Sequence, residues 1–416
     1  MNVVDMSRGV AFALMVGSAG CGTGSVGPLP AEPEADVDLT PASTSLRAPV
    51  TARAGDPLPG LSQDLLARFD AGKEEFESDE TPEEGLGPVF NDTSCARCHS
   101  EPAVGGSSGL LETRFGARRA DGTFDPLTSE GGSLIQVKGI GVAGTCDFKG
   151  ETVPADATLV SRRRTTPLFG LGLVDAVPES TFRYIAQIER SLWPDEAGRV
   201  AMVHDIARNR DAVGRFGWKD QVPTLHQFSG DAYLNEMGIT SPEFPNENCP
   251  GGDCSLLACN PLPGINDDGE SIVAFTDFMT LLAPPPRKAM TGQAWAGRSV
   301  FGNIGCSHCH WDTFRTGDSA VSTLDHVTFH PYSDFLLHGM GSLGDGIETG
   351  DARGQEFRTA PLWGLSAISS YLHDGRAATV KDAILAHDGQ ARRARDRFAR
   401  ASAMDQAALL AFLGTL

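Results

Sequence analysis

Two short segments of the sequence place thiols and imidazoles at a spacing that can do redox chemistry. Each segment reads C-x-x-C-H, and together they contain Cys95, Cys98, His99, Cys306, Cys309 and His310. This spacing is typical of c-type haem attachment, in which both thiols bind haem vinyl groups and the histidine binds the iron. A zinc site or a dithiol redox pair would need no histidine directly after the second cysteine in both copies. The motifs therefore predict two covalently bound c-type haems.

Helices must position both motifs, and the sequence repeats the signals for them. Ser62 is a candidate N-cap of a helix that contains Ala71-Gly72-x-x-x-Phe76, and Ala296-Gly297-x-x-x-Phe301 precedes the second motif. Arg164-Thr-Thr-Pro-Leu follows the first motif, and Arg358-Thr-Ala-Pro-Leu follows the second. Two such elements in the same order indicate duplication of one haem-binding unit.

The repeats predict the fold class and the domain boundaries. We expect a mainly α fold with two cytochrome c-like haem domains from an internal duplication, and with long irregular loops. The chain of 416 residues is long enough for two domains. Pro284-Pro-Pro286 would end the preceding helix, so we expect the N-terminal haem domain at residues 61–283 and the C-terminal one at 284–416.

The N-terminal segment predicts export. An apolar run from Val10 to Val16 precedes Gly17-Ser-Ala-Gly-Cys21, as in an export signal over residues 1–21. Cys21 resembles the acylated cysteine of lipoproteins, although Ser18 stands where such sites usually carry leucine. Residues 22–60 lack aromatic side chains and predict a flexible tether. We expect the protein in the periplasm or cell envelope, with membrane contact only through this N-terminal lipid anchor.

The charge of the chain restricts its partners. The formal net charge is −20, from 34 lysines and arginines against 54 aspartates and glutamates. Such an acidic chain disfavours nucleic acid as a partner. It permits a cationic electron donor, and the expected partner is a small redox protein or another electron donor.

Four cysteines remain outside Cys21 and the two motifs, namely Cys146, Cys249, Cys254 and Cys259. In an oxidising compartment they predict two disulfides, whose pairing the sequence leaves open. A metal site in the loop from 248 to 259 is the alternative, but loops rich in glycine and proline are more often cross-linked.

The sixth iron ligand separates the two motifs. The first histidine or methionine after His99 is Met202, whereas the second motif is followed more closely by several candidates, among them His326, His330, His338, Met340, His373 and His387. A protein ligand at the sixth position makes an electron-transfer centre, while an open position admits small molecules. We expect the C-terminal haem to be six-coordinate and the N-terminal haem to be open.

The motif order resembles a known group of enzymes. In the second half, the haem motif is followed by R-T-x-P-L, then by Tyr371-Leu-His-Asp-Gly375 and then by a helix. This order is similar to that of the bacterial dihaem cytochrome c peroxidases and their MauG-type relatives. Three further segments resemble the di-haem oxidoreductases, also called thiol oxidoreductases. They are Gly85-Leu-Gly-Pro-Val-Phe-Asn-Asp-Thr-Ser-Cys95, Arg215-Phe-Gly-Trp-Lys219 and Met237-Gly-Ile-Thr-Ser-Pro242.

The resemblance implies roles for further residues. His387 stands where the peroxidases carry a methionine ligand to the C-terminal haem, with Met340 as the alternative. A distal carboxylate would move the peroxide proton, and counting from the repeats selects Glu179, with Glu189 and Glu196 in reserve. The tryptophan that relays electrons between the haems is missing from its usual place, and Trp218 and Trp363 are the substitutes. A calcium ion between the domains stays open.

The resemblance also implies the activity. We expect hydrogen peroxide reduction at the N-terminal haem, with electrons supplied through the C-terminal haem. One alternative is oxidation of an organic or protein substrate, as in the MauG type. Another is an electron-transfer cytochrome without catalysis, in which both haems are six-coordinate.

Overall fold

The helices that precede the two C-x-x-C-H motifs both begin at a hydroxyl side chain, and the first begins at the cap that the sequence indicates. In the computed structural model, which describes residues 52–141 and 148–416, the Ser62 side chain accepts a hydrogen bond from Leu65 N at 3.3 Å and caps the first helix. The Thr291 side chain accepts from Ala294 N at 3.1 Å and caps the helix before the second motif. An oxygen at the N-cap satisfies a backbone amide that the helix itself leaves free.

The described residues contain ten α-helices besides short 3-10 turns. They are α1 Gln63–Glu77, α2 Cys95–Cys98, α3 Leu171–Asp175, α4 Glu179–Leu192, α5 Leu225–Met237, α6 Glu270–Leu281, α7 Gly292–Asn303, α8 Val380–Ala386, α9 Arg392–Arg400 and α10 Ala403–Leu413.

The strands are short and pair antiparallel. They are β1 Val89–Phe90, β2 Leu111–Arg118, β3 Phe124–Asp125, β4 Lys138–Gly139, β5 Leu159–Arg164, β6 Ala201–Asp205, β7 Arg210–Gly214, β8 Phe314–Arg315, β9 Thr328–Phe329, β10 Leu337–Gly339 and β11 Glu356–Arg358. The one three-stranded sheet of the described residues has the order β3-β2-β5, with Leu111 opposite Arg164. Helix accounts for 37% and strand for 14% of the structure.

The first motif is supported by the crossing of α1 and α6. Gly72 allows this crossing, because a Cβ at that position would collide with the Ala274 carbonyl oxygen. Phe76 lies one turn further on and packs against Phe278, with ring centroids 4.9 Å apart.

The second motif has an equivalent support in α7 and α10. A Cβ at Gly297 would collide with the Ala408 carbonyl oxygen. Phe301 packs edge-on against Phe412, with centroids 5.4 Å apart. Each motif therefore follows a helix that is held by a close glycine crossing and a buried phenylalanine.

The segment between the two halves packs against the repeated R-T-x-P-L-x-G elements. A Cβ at Gly170 would lie 2.9 Å from Pro284 Cβ, and a Cβ at Gly364 would lie 2.9 Å from Pro285 Cγ. The glycine that ends each repeat therefore packs closely against one of two consecutive prolines, Pro284 or Pro285. Both glycines have positive φ, which side chains rarely adopt.

The residues that the structure describes, 52–141 and 148–416, form one compact unit. Its larger hydrophobic core joins residues of both halves, since Phe182 of α4 packs against Phe314 of β8 with centroids 5.7 Å apart. A smaller core surrounds Phe301 and Phe412. The boundary between residues 283 and 284 stays a prediction.

The folded chain begins before the residue that the sequence indicates. Within residues 52–60, the end of the tether expected at 22–60, Leu58 is buried and its amide donates to Leu281 O at 2.7 Å. Ala283 N donates to Asp56 O at 3.0 Å, so this segment pairs with the end of α6. Pairing with a segment over 200 residues away in sequence is not visible in local composition. The export signal at 1–21 and residues 22–51 lie outside the described residues.

One disulfide joins Cys249 and Cys254, and Cys259 is also disulfide-bonded. Cys146 lies outside the described residues. The four thiols of the two C-x-x-C-H motifs are free. Across the described part of the chain, no helix combines the length and the apolar character needed to cross a membrane.

Candidate functional site

The second motif presents its thiols and one imidazole to an internal cavity of about 590 Å³. This volume falls within the roughly 300–1,000 Å³ range of ligand and cofactor sites. Cys306, Cys309 and His310 line the cavity. His310 Nδ1 donates to Tyr332 O at 2.8 Å, which leaves Nε2 without a proton and available to a metal.

His387 lines the same cavity. It follows α8, whose N-cap is Thr379, and its Nδ1 donates to Ala383 O at 2.7 Å. Burial lowers the pKa of His310 to about 4, and repulsion from His387 adds to this effect, so the two imidazoles lie within electrostatic range. The pair is neutral, and each member has a free Nε2 in one cavity.

The two other histidines that line this cavity make contacts of their own. His338 uses both ring nitrogens, with Nε2 2.8 Å from Asp334 Oδ2 and Nδ1 3.0 Å from Glu196 O. His373 stacks on Phe357, with ring centroids 4.3 Å apart. Met340 lines the cavity and remains the alternative ligand. The hydrogen bonds therefore favour His387 as the partner of His310.

The first motif has the same arrangement on its proximal side. His99 Nδ1 donates to Gly106 O at 3.0 Å, and burial lowers the pKa of His99 to about 4. The Phe76 ring meets the His99 ring at 5.9 Å, as Phe301 meets His310 at 6.3 Å. Each histidine is thus held by one backbone carbonyl and one phenylalanine, with Nε2 free.

A family model described as "Di-haem oxidoreductase, putative peroxidase" matches residues 146–416, about two thirds of the chain. The chain belongs to this di-haem oxidoreductase family. The match includes the second motif and His387. No curated protein matches.

The chain is also similar, at low identity, to several solved structures. Hydrazine synthase of Kuenenia stuttgartiensis is 15% identical, covers 93% of this chain and 100% of its own, and has a TM-score of 0.41. A MauG-like protein associated with microbial copper homeostasis is 15% identical, with coverages of 88% and 92% and a TM-score of 0.37. The diheme peroxidase BthA of Burkholderia thailandensis E264 is 16% identical, with coverages of 87% and 87% and a TM-score of 0.39.

Membership of the di-haem oxidoreductase family implies two haems, and the residues present fit two. Each motif supplies two free thiols and a neutral histidine whose Nδ1 is tied to a carbonyl. A third such histidine, His387, lies in the cavity of the second motif. These ligands suit iron in a porphyrin better than zinc. A structural zinc ion would bind four Cys or His side chains at once, whereas each motif offers two thiols and one histidine.

The first motif of this di-haem oxidoreductase lies beside a group of charged side chains. Burial raises the pKa of the Cys98 thiol to about 12, with electrostatic contributions from Glu236 and Glu112, so these carboxylates lie near the motif. Arg114 binds Glu112, with both nitrogen-to-oxygen distances 3.2 Å. Asp231 lies beside the pair, and burial raises its pKa.

Glu236 is the carboxylate of this group whose pKa differs most from its ordinary value. Burial raises the pKa of Glu236 to about 7, and repulsion from Glu112 adds to this. Asn91 Nδ2 donates to Glu236 Oε2 at 2.6 Å and fixes the side chain. Sequence reasoning missed this cluster. Its one local signal is that Glu112 and Arg114 are two residues apart on β2 and therefore share a face.

Glu179 lies at the start of α4 in an ion-pair network. Its Oε1 accepts from Arg210 Nη2 at 2.6 Å, and its Oε2 lies 3.5 Å from Arg183 Nη2. Burial opposes ionisation, but the Arg210 hydrogen bond and charge lower the pKa of Glu179 overall. Its role as the distal carboxylate stays a prediction.

The two reserve carboxylates lie at the second motif instead. Burial raises the pKa of Glu189 to about 8, and repulsion from Asp334 adds to this effect. Glu196 Oε2 accepts from His308 Nδ1 at 2.6 Å, inside the C-x-x-C-H segment.

Both candidate tryptophans line the cavity of the second motif. Trp218 Nε1 donates to Arg164 O at 2.8 Å, and the Trp218 ring lies 6.3 Å from His373. Trp363 packs against Phe329, with centroids 6.0 Å apart. Another tryptophan near this motif, Trp193, was not expected, and its ring stacks on His308 with centroids 3.9 Å apart.

Proposed function

We propose that the protein is an exported di-haem c-type oxidoreductase that reduces hydrogen peroxide with electrons from a small redox protein. One observation carries the proposal. The cavity of the second motif is lined by two histidines whose Nδ1 atoms each donate to a backbone carbonyl, whereas the groups beside Cys98 of the first motif are carboxylates and an arginine.

The protein residues divide the work between the two sites. Bound haem would supply one-electron redox chemistry at both sites, and an iron with an open sixth position would also take peroxide. Cys95, Cys98, Cys306 and Cys309 would hold the haems covalently. His310 and His387 would both bind the iron of the C-terminal site, which suits electron storage. Two imidazoles also keep its potential lower than histidine with methionine would.

Peroxide cleavage needs a group that accepts a proton and returns it. A carboxyl with a pKa near the working pH does this best, and Glu236, whose pKa is raised to about 7, meets that condition. Glu112 is held as a carboxylate by Arg114 and suits positioning instead. We therefore propose Glu236 as a second candidate beside Glu179, which its arginine pairs keep ionised.

A short path links the two sites. His99 is bonded to Gly106 O, and the next residue, Ser107, donates from Oγ to Thr165 O at 2.7 Å. Arg164, adjacent to Thr165, accepts from Trp218 Nε1 through its carbonyl. Trp218 lines the C-terminal cavity, so this path supports Trp218 rather than Trp363 as the electron relay.

Further expectations belong to the same proposal. The matching glycine crossings at Gly72 and Gly297 support an origin of the two halves by internal duplication. Export and acylation of Cys21 rest on the N-terminal sequence, and mass spectrometry of the mature N-terminus tests both. A calcium ion between the halves stays open, and metal analysis of the purified protein tests it.

The test of the proposal is low-temperature EPR of the oxidised protein beside the His387→Ala variant, with peroxide turnover measured on both. We expect one high-spin and one low-spin haem, with the low-spin signal lost in the variant. Peroxide should be consumed with a reduced donor. Two low-spin haems without turnover would instead indicate an electron-transfer cytochrome. Oxidation of an added organic or protein substrate in place of the donor would indicate a MauG-like enzyme.

A further inference from the structure

Helix α9 is strongly basic in a strongly acidic protein. Its nine residues contain five arginines and one aspartate, whereas the whole chain has 34 basic against 54 acidic side chains. Only Phe398 of this helix is buried. Four of the arginines are exposed, namely Arg392, Arg393, Arg397 and Arg400. A solvated helix in this chain would be expected to share its acidic balance.

The arginines of α9 are only partly neutralised. Arg392 binds Asp388 at 2.8 Å. Arg393 lies 3.6 Å from Asp195 and 3.5 Å from Glu196. Arg400 has no ion-pair partner among the residues that the structure describes. Surface pairs of this kind contribute little binding energy and can exchange partners.

Helix α9 borders the cavity of the second motif. Ala394 and Arg395 line that cavity. Arg397 Nη1 donates to Ile304 O at 3.3 Å, two residues before Cys306. The basic helix therefore lies against the turn that leads into the C-x-x-C-H segment.

An aromatic and apolar contact completes this surface. The Trp193 ring stacks on the imidazole of His308, with centroids 3.9 Å apart and planes 10° from parallel. Leu192, beside it, is 60% exposed. Glu196 accepts from His308 and pairs with Arg393, so one residue links the stacked pair to α9.

We propose that these side chains form a docking surface for an acidic one-electron carrier protein. We call it the arginine surface, and it consists of Leu192, Trp193, Arg392, Arg393, Arg397 and Arg400. The inference rests on the proposed function, since it assigns the chemistry of the partner that reduces the C-terminal site. In the transfer the carrier loses one electron and the C-terminal haem gains it, and no bond or proton moves.

Charge complementarity selects an acidic occupant. With a net charge of −20, the chain repels an acidic carrier over most of its surface, so the arginine surface would also set the orientation of docking. The orientation brings the carrier against Trp193, whose stacked contact leads to His308 within the haem motif. A cationic carrier, which net charge alone would permit, would be attracted elsewhere.

The test is stopped-flow reduction of the C-terminal haem by flavodoxin hydroquinone, an acidic carrier, in the intact holoprotein. We expect the second-order rate constant to fall at least about tenfold between roughly 20 and 200 mM salt, because salt screens the attraction. Arg393→Glu/Arg400→Glu should lower the low-salt rate by a similar factor. Arg400→Glu alone should show part of this fall in the low-salt rate. The single variant therefore still tests the inference if the double variant folds poorly.

The matched control is Arg119→Glu/Arg162→Glu at the β2–β5 sheet, which changes the net charge equally and should leave the rate within about twofold. Oxidation of the pre-reduced protein by peroxide, measured without a carrier, should be unchanged in both double variants. If peroxide failed to oxidise the pre-reduced wild-type protein, that result would count against the proposed function and not against the docking surface. Three results would overturn the inference: a salt-independent rate, faster reduction by a basic cytochrome c, or variants that lose only binding to anionic vesicles.

Discussion

The two C-x-x-C-H sites are built alike on one side and differently on the other. In both, a helix with a close glycine crossing supports the motif, and a backbone carbonyl fixes the Nδ1 proton of the histidine. His310 and His387 line one cavity, whereas charged groups such as Glu236 and Glu112 lie beside the first motif. The shared side explains how haem would be held. We propose that the side that differs decides whether the site stores electrons or does chemistry.

Removing one haem at a time should separate the two roles most strongly. In Cys95→Ser/Cys98→Ser, peroxide turnover should fall to background, because the proposed reactive haem is lost. The C-terminal haem should still accept electrons from the carrier. Pyridine haemochrome assays should show one haem per chain instead of two.

The reciprocal variant, Cys306→Ser/Cys309→Ser, is the matched control. It should lose both reduction by the carrier and steady-state turnover. If it turned over peroxide normally with the same donor, the division of labour between the sites would be wrong.

Changing the ligand at position 387 should sharpen the contrast. In His387→Met the C-terminal haem should stay low-spin while its potential rises, within the roughly 0.8 V that axial ligands can span. His387→Ala should make it high-spin, like the N-terminal haem. Redox titration with EPR checks both. Unchanged spectra in both variants would point to Met340 as the ligand.

Neutralising the carboxylates should identify the proton carrier. If Glu236 acts, Glu236→Gln should lower peroxide turnover by about 10²–10⁴-fold, the usual contribution of a general acid–base group. Wild-type activity should then fall as the pH drops through about 7, where Glu236 gains a proton and can no longer accept one.

Glu179→Gln is the comparison variant. A large loss there, with Glu236→Gln active and the same pH profile, would return the role to Glu179. Haem content and EPR of both variants should match the wild type, since neither side chain is proposed to bind iron.

The supports of the two sites should be equally sensitive to one added methyl group. Gly72→Ala and Gly297→Ala should each destabilise the fold by about 1–3 kcal/mol, because Cβ would collide with a backbone oxygen of the crossing helix. Urea unfolding measures this. Gly302→Ala is the control: it lies in α7 with nothing near its Cβ position, and it should be neutral or slightly stabilising. Similar losses at all three positions would rule out the crossings as the cause.

Local patterns predicted the shared side of the two sites and missed most of what differs. The motifs, the cap at Ser62 and the helix before His387 depend on residues a few positions apart, so the sequence displays them. The cluster beside Cys98 joins β2 to α5, more than 100 residues later, and no short-range pattern records such a pairing. The same holds for the arginine partner of Glu179, which comes from β7. His387 was found through its place after H-D-G, not through its contacts.

The fit of Pro284 against Gly170 and of Pro285 against Gly364 bears on how the molecule assembles. Exchange of equal halves between two chains is a recognised hazard for duplicated proteins, and it requires a connection that can swing open. Here the connection is clamped by both halves at once, so opening it would unpack a glycine contact on each side. The two halves of one chain should therefore pair with each other, and concentrated protein should resist forming swapped dimers.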